Sequence, residues 1–139
     1  MDMNGTIATS GDIHDLKPLF DQLRDKLDLY IVTANTFGTI EGMATKIGVK
    51  YYILPNKKPG AQEKLEFVQK LQENGMVIAL GNGNNDALML KEAALGISVL
   101  GDEGLSKECL LASDFVVKTP EDALKMIITP KKLVATLRK

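Results

Sequence analysis

Short apolar runs alternate with amphipathic segments along the chain. The runs "LYIVTA", "VKYYIL", "MVIAL", "GISVL" and "DFVVK" are rich in β-branched or aromatic residues and are typical of strands. Between them, apolar residues recur at spacings of three and four, which predicts helices in "DLKPLFDQLRDKL", "TIEGMATKIG" and "AQEKLEFVQKLQENG" and near residues 85–94 and 105–112. This alternation predicts a single α/β domain over residues 1–139, with a doubly wound, mainly parallel, Rossmann-like sheet.

The helical patterns also predict which residues face the core and where helices begin or end. The first helix should bury Leu16, Leu19, Phe20, Leu23 and Leu27, and the third should bury Leu65, Val68 and Leu71. Gly48 should end the second helix. Thr119-Pro120 and Thr129-Pro130 each place an N-cap residue before a proline, which predicts two further helix starts near the end.

Composition narrows the possible partners and the cellular compartment. With 139 residues and a net charge of −1, the chain has no overall electrostatic attraction to nucleic acid or to an anionic membrane. No apolar run reaches the length that a membrane-spanning helix requires. The single cysteine, Cys109, cannot form an internal disulfide, so we predict a reducing, cytoplasmic location.

Several polar residues lie where predicted strands end or helices begin. Thr33 ends "YIVT", Lys64 lies early in a helix, and Asp86 closes "GNGNND". Asp2, in "DMNGT", would stand at the end of a first strand. Because parallel strands joined by right-handed crossovers collect their loops at one edge, these residues should meet there. Backbone N–H groups at helix starts favour anions, so this edge is a candidate ligand site.

These residues also carry a family resemblance. "DMNGT" (2–6), Thr33 of "IVTAN", Lys64 and "GNGNND" (81–86) follow the order of the four motifs of the haloacid dehalogenase-like (HAD) superfamily. "GNGNNDALMLKEAALGISVLG" resembles the hinge-motif region of P-type ATPases. Nearly the whole chain resembles the small family of soluble P-type ATPase-like hydrolases, which have no cap domain.

The resemblance implies a phosphoryl-transfer site. Asp2 would be the nucleophile that forms an aspartyl phosphate, and Lys64 would neutralise charge beside it. The phosphorylated substrate or nucleotide would contact Thr33, Ala34, Asn35, Lys64 and Asn85. The cofactor would be Mg²⁺, held by Asp2, Asp86, Asn82 and the backbone carbonyl of Asn4. The "GNGNND" loop should be exposed, so removal of the Asp86 carboxylate should abolish Mg²⁺ binding without affecting the fold.

Two asparagines depart from the superfamily pattern. Asn4 stands where many superfamily phosphatases have an Asp that protonates the leaving group and then activates water. An amide cannot exchange a proton in this way, and such help is worth about 10²–10⁴-fold in rate. Asn4 therefore predicts slow dephosphorylation or substrates with good leaving groups. Asn82 stands where many relatives have Asp, and its lack of charge predicts weaker Mg²⁺ binding.

The start of the sequence is a further departure. Only Met1 precedes Asp2, so the usual first strand is predicted to be missing. Either the sequence is truncated, or a strand from elsewhere fills the gap, or the sheet closes without it. We expect Asp2 to fray in consequence. Without a cap domain the site should be open, covered only by a flap at residues 8–14 or by homo-oligomer formation.

Other interpretations stay open from the sequence. A non-catalytic module that binds Mg²⁺ and a phosphate or nucleotide is favoured by Asn4 and Asn82. A receiver domain also uses Asp, Thr and Lys, but it has no "GNGNND" loop, and no paired acidic residues precede the candidate Asp of this chain. Lys64 could instead be a solvated surface residue, and "GNGNND" a plain turn with Asn84 or Asn85 as N-cap.

Overall fold

The computed structural model describes residues 1–4, 6–9, 12–13, 15–36 and 38–139. Its strands are β1 (Ala8–Thr9), β2 (Asp12–Ile13), β3 (Tyr30–Thr33), β4 (Lys50–Ile53), β5 (Ile78–Gly81), β6 (Leu95–Val99) and β7 (Phe115–Val117). Its helices are α1 (Lys17–Leu23), α2 (Ile40–Ile47), α3 (Gly60–Gln72), α4 (Ala87–Glu92), α5 (Lys107–Ala112), α6 (Pro120–Ile128) and α7 (Pro130–Leu137), with a 3₁₀ turn at Asn84–Asp86.

The strands form two parallel sheets that the first residues of the chain connect. β3 pairs with β4, and β5, β6 and β7 pair in that order. On one side the Val32 N–H donates to the Met1 carbonyl at 2.8 Å, and on the other the Asp2 N–H donates to the Leu80 carbonyl at 2.9 Å. Asp2 is therefore bonded between β3 and β5, and the expectation that it frays is wrong. Met1 and Asp2 therefore connect β3 with β5.

The core lies on both faces of this layer because alternate residues of a strand point to opposite sides. Ile31 packs with α1, α2 and α6, whereas its neighbour Val32 packs with Phe67 of α3. In β5, Ala79 packs with α3, α4 and α5, and Leu80 packs toward α6. This doubly wound α/β arrangement is the predicted fold class.

The first and third helices differ from the predicted patterns. α1 ends at Leu23, and Leu27, which was predicted to be buried, is exposed. The Arg24 guanidinium donates to the Ile47 carbonyl at 2.9 Å at the end of α2, and the chain turns there. In α3, Val68 is buried as predicted, whereas Leu65 and Leu71 are only half-buried.

Most of the predicted helix boundaries are confirmed. Gly48 ends α2 with φ of 70°, a left-handed conformation that glycine adopts easily. The Thr119 hydroxyl accepts from the Asp122 N–H and caps α6, whereas Thr129 makes no such bond before α7. Of the predicted flap, β1 and β2 pair as a short antiparallel hairpin, and His14 lies outside the described residues.

Candidate functional site

Two aspartates from opposite ends of the chain meet at one lysine. Lys64, in the first turn of α3, is 1% exposed. Its ammonium nitrogen lies 2.6 Å from Asp2 Oδ1 and 2.6 Å from Asp86 Oδ1. Asp2 stands between β3 and β5, and Asp86 ends the turn after β5. The interpretation of Lys64 as a solvated surface residue is therefore wrong.

The charges in this cluster are unequal, because one ammonium group faces two carboxylates. Burial and the nearby Asp86 carboxylate raise the pKa of Asp2 to about 6, against the opposing effect of Lys64. Burial alone would lower the pKa of Lys64, but the two carboxylates outweigh it and raise that pKa. At neutral pH, Lys64 is therefore charged and Asp2 is mostly ionised.

Asp86 is an internal anchor rather than an exposed loop residue. It is 0% exposed, and its Oδ2 accepts from the Asn82 and Gly83 N–H groups at 3.0 Å each. The Asp86 carboxylate, and not the side chain of Asn84 or Asn85, accepts from the backbone N–H groups that precede the 3₁₀ turn. The loop is exposed at Asn84 and Asn85, but the expectation of exposure is wrong for Asp86. A Cβ added at Gly81 would lie 2.5 Å from the Asp86 Cβ, so this approach requires glycine.

Thr33 and Asn35 lie in the turn after β3. Thr33 is buried, and its hydroxyl oxygen accepts from the Asn35 N–H at 3.0 Å, which leaves the hydroxyl hydrogen to donate elsewhere. The Asn35 side-chain oxygen accepts from the Ile40 N–H at 3.2 Å at the start of α2. The structure therefore places Thr33 at the site and engages the Asn35 side chain in a helix contact.

Thr6 is a site residue that the sequence reasoning missed. It is fully buried, and its hydroxyl lies 3.3 Å from Asp2 Oδ2 and 3.2 Å from Asn82 Oδ1. Asn82 in turn donates to the Gly104 carbonyl at 3.3 Å. Thr6 closes the quoted "DMNGT" motif, so its position in that motif was the available signal.

A cavity of about 420 Å³ opens beside this cluster. Seven of the predicted site residues line it: Asp2, Asn4, Thr33, Ala34, Lys64, Asn82 and Asn85. The lining also includes residues that the sequence reasoning missed, namely Thr36, Leu54, Asn56, Gly60, Gly83 and Glu103. Asp86 lies behind Lys64, and neither Asp86 nor Asn35 is among the described lining residues. The Asn4 side-chain oxygen is buried and has no hydrogen-bond partner among the residues that the structure describes.

The oxygen atoms of the predicted metal ligands are of the chemical type that binds a hard divalent cation. Asp2 and Asn82 carry side-chain oxygens and line the cavity, whereas both Asp86 oxygens are already bonded, Oδ1 to Lys64 and Oδ2 to the Asn82 and Gly83 N–H groups. Mg²⁺ prefers oxygen ligands and usually takes only one or two carboxylates. Within the described ranges, no group of three or more His, Cys, Asp or Glu residues is placed to hold a metal.

Comparisons with known proteins agree with this fold. No protein-family model matches the chain. It is 50% identical over 74 residues to Uncharacterized protein MJ0073 of Methanocaldococcus jannaschii, which covers 53% of the chain and 80% of that protein. It is 28% identical over 135 residues to "Probable copper-transporting ATPase PacS" of Synechocystis, which covers 95% of the chain but only 17% of that protein.

The solved structures with similar folds include hydrolases. A proposed HAD family hydrolase from Streptomyces avermitilis has a TM-score of 0.68 at 17% identity, covering 91% of this chain and 79% of that chain. The chain has the fold of haloacid dehalogenase-like hydrolases. A second HAD-like neighbour, the 3-deoxy-D-manno-octulosonate 8-phosphate phosphatase of Moraxella catarrhalis, was solved with a magnesium ion and a phosphate ion. Its TM-score is 0.69 at 15% identity, covering 99% of this chain and 91% of that chain.

The absence of a cap domain from this HAD-like chain stays a prediction. So do the individual roles of the residues around Asp2, although the structure brings most of them together. Among the described residues, no helix is both long enough and apolar enough to cross a membrane.

Proposed function

We propose that this HAD-like chain is a Mg²⁺-dependent phosphatase or phosphotransferase that acts through an aspartyl phosphate on Asp2. The observation that carries the proposal is the contact of Lys64 with both Asp2 and Asp86 at the edge of a polar cavity. Buried, desolvated carboxylates beside a lysine are what phosphoryl transfer by a carboxylate nucleophile requires, because catalysis rests on positioning and charge stabilisation.

The first step would transfer the phosphoryl group to the protein. An Asp2 carboxylate oxygen forms a bond to phosphorus while the ester P–O bond breaks, and the electron pair goes to the leaving oxygen. Lys64 offsets negative charge beside the new bond, and the Thr33 hydroxyl donates to a phosphoryl oxygen. The Asn4 amide cannot supply a proton to the leaving oxygen, so water must supply it.

The second step would hydrolyse the aspartyl phosphate. A water oxygen attacks phosphorus, the bond to Asp2 breaks, and the proton of the water passes to solvent. Asn4 lines the cavity, and its side-chain amide can hydrogen-bond that water but cannot take its proton. This step should therefore be slow, and donors with good leaving groups should be preferred in the first step.

Asp2, Asp86, the Asn82 side chain and the Asn4 backbone carbonyl would hold the Mg²⁺ ion. When bound, Mg²⁺ would supply positive charge that polarises the phosphoryl group. The magnesium and phosphate ions in the Moraxella catarrhalis phosphatase support this proposal. A calorimetric Mg²⁺ titration of the parent and of Asp86→Asn tests it, and equal isotherms would refute the metal assignment.

An intact-mass measurement tests the nucleophile. The chain is incubated with Mg²⁺ and acetyl phosphate and quenched in acid, and its intact mass is measured. Asp2→Asn and the control Asp28→Asn, which changes an exposed aspartate, are treated in the same way. We expect one added phosphoryl group in the parent and in Asp28→Asn, and none in Asp2→Asn. The same mass increase in all three proteins would show that Asp2 is not the nucleophile.

A non-catalytic module that binds Mg²⁺ and a phosphate or nucleotide is the second candidate. The observation that favours it is the pair of amides, Asn4 and Asn82, at lining positions where a carboxylate would add acid–base capacity or charge. Turnover of p-nitrophenyl phosphate separates the two candidates, because a module would bind the ester without releasing p-nitrophenol.

The partners and the location of the chain also stay proposals. We propose a phosphorylated small molecule or nucleotide as substrate, a homo-oligomer that covers the open site, and a cytoplasmic location without nucleic-acid or membrane partners. Light scattering of the purified chain would test the homo-oligomer.

A further inference from the structure

The loop between β4 and α3 forms one wall of the cavity, and a buried carboxylate holds this loop. Glu63, one residue before Lys64, is 5% exposed. Its Oε1 accepts from the Lys57 N–H at 2.7 Å and from the Lys58 N–H at 3.1 Å. Its Oε2 accepts from the Asn56 N–H at 3.1 Å. Successive backbone N–H groups that converge in this way form an anion-binding concavity, which the protein fills with its own carboxylate.

Asn56 is the polar residue of this loop among those that line the cavity, and Leu54 is the apolar one. Its φ of 57° lies in the left-handed region, which is costly for most residues with a side chain and is tolerated best by asparagine and aspartate. The conformation persists where the surroundings determine it, and here the N–H of Asn56 is tied to Glu63. Glu63 therefore sets where the Asn56 side chain lies along the cavity wall.

Two neighbouring residues of α3, Glu63 and Lys64, thus contact two different parts of the cavity's surroundings. Consecutive residues of an α-helix point about 100° apart, so Lys64 and Glu63 project in different directions. Lys64 reaches the two aspartates, where the phosphoryl group would bind, and Glu63 reaches the loop. The loop between β4 and α3 therefore has a fixed position relative to the phosphoryl end of the cavity, which is the part beside Asp2 and Lys64.

The lining beyond the phosphoryl end is polar. Asn56, Asn85 and Thr36 offer amide and hydroxyl groups, and Leu54 is the large apolar residue among them. Among the described residues that line the cavity, no side chain is aromatic. Such a wall offers hydrogen bonds to a hydroxyl-bearing group and little stacking surface to an aryl group or a base.

We propose that Asn56 is a specificity-determining residue and Glu63 a positioning residue, which together select phosphate monoesters of small, hydroxyl-bearing alcohols. This inference rests on the proposed function and deepens it by naming the class of substrate. The side chain of Asn56 would hydrogen-bond a hydroxyl of the alcohol, while Glu63 acts only through the loop.

The test compares glycerol 3-phosphate with phenyl phosphate in the parent and three variants. Glu63→Gln removes the charge and one of the two carboxylate acceptors. Asn56→Gly removes the side chain while glycine still tolerates the positive φ. Glu66→Gln is the matched control, because Glu66 lies on the same helix in an exposed ion pair with Lys58. Dissociation constants are measured by calorimetry in an Asp2→Asn background, so that no phosphoenzyme forms.

We expect the parent to bind glycerol 3-phosphate more tightly than phenyl phosphate. The ratio of the two constants should fall roughly 3- to 10-fold in Glu63→Gln and in Asn56→Gly, which is the size of one lost hydrogen bond, and should not change in Glu66→Gln. Amide hydrogen exchange of Lys57 and Lys58 should accelerate in Glu63→Gln only. With Asp2 present, the loss should appear in KM for the glycerol ester, and the control Glu66→Gln should keep the parent's kcat for phenyl phosphate.

Other results would overturn the proposal. An unchanged ratio in Asn56→Gly would remove Asn56 as the selecting residue, whether or not Glu63→Gln folds. A kcat that falls equally for both esters in Glu63→Gln would show that Glu63 acts through Lys64 and not through the wall. Binding of neither ester by the parent would also refute it. If the parent binds with the expected preference but turns over neither ester, the proposed catalysis fails and the selectivity stands.

Discussion

Replacing Asp86 by alanine should destabilise the fold as well as weaken the site. The carboxylate is fully buried and has three partners: the Lys64 ammonium at 2.6 Å and the N–H groups of Asn82 and Gly83 at 3.0 Å each. Alanine would leave both N–H groups without this acceptor. It would also leave Lys64 with Asp2 as its remaining partner.

The size of the effect follows from these contacts. Each unsatisfied buried N–H group costs about 1–3 kcal/mol. Loss of one member of a buried ion pair costs about 3–5 kcal/mol, but Lys64 keeps Asp2, so the electrostatic part lies at or below the low end of that range. The contributions share atoms and do not add, and we expect a total of about 3–5 kcal/mol. This is a large fraction of the roughly 5–15 kcal/mol that stabilises a domain of ordinary size.

Urea unfolding followed by far-ultraviolet circular dichroism, in EDTA, measures this loss without any contribution from bound metal. Asp86→Asn is the matched variant, because its side-chain oxygen can still accept from the two N–H groups. We expect it to lose about 1–3 kcal/mol, less than the alanine variant. If Asp86→Ala unfolds within about 1 kcal/mol of the parent, the buried anchor is not a stabilising element and the reasoning is wrong.

Three further predictions concern the chemistry and the packing. Asn4→Asp should speed aspartyl-phosphate decay in rapid-quench experiments by about 10²-fold, at the low end for general base catalysis, and no acceleration would refute the role of Asn4. Gly96→Ala should lower the unfolding midpoint strongly, because its Cβ would lie 2.4 Å from the Leu90 carbonyl oxygen, whereas Gly42→Ala meets open space and should not. In the metal-free chain, carbon NMR should show Asp2 titrating near pH 6, and a midpoint near its ordinary 3.8 would contradict the burial argument.

The sign of the Asp2 effect on stability follows from that pKa. Burial and Asp86 raise the pKa of Asp2 from 3.8 to about 6, so the folded chain favours the protonated form. The resulting contribution to stability is present below about pH 4 and is lost as the pH rises through 6. As the pH rises from about 4 to about 6, the unfolding free energy of the parent should therefore fall relative to that of Asp2→Asn.

The sequence by itself predicted the α/β class, most element boundaries and the meeting of Thr33, Lys64 and Asp86. Hydrophobic periodicity and cap residues are local signals, and the ends of parallel strands must share one edge. Thr33 ends a predicted strand, Lys64 lies early in a predicted helix and Asp86 closes the loop between a strand and a helix, so the topology alone places them together.

Only the tertiary structure decided how the site is held. The bonds of Met1 and Asp2 to β3 and β5 join segments about 30 and 80 residues apart in the chain, which no local pattern reveals. The burial of Glu63 and Lys64 was also hidden, because charged residues at helical spacing ordinarily indicate a solvated face. Their partners are backbone amides of one loop and carboxylates from two distant segments, and a buried charge is stable only where such partners converge in space.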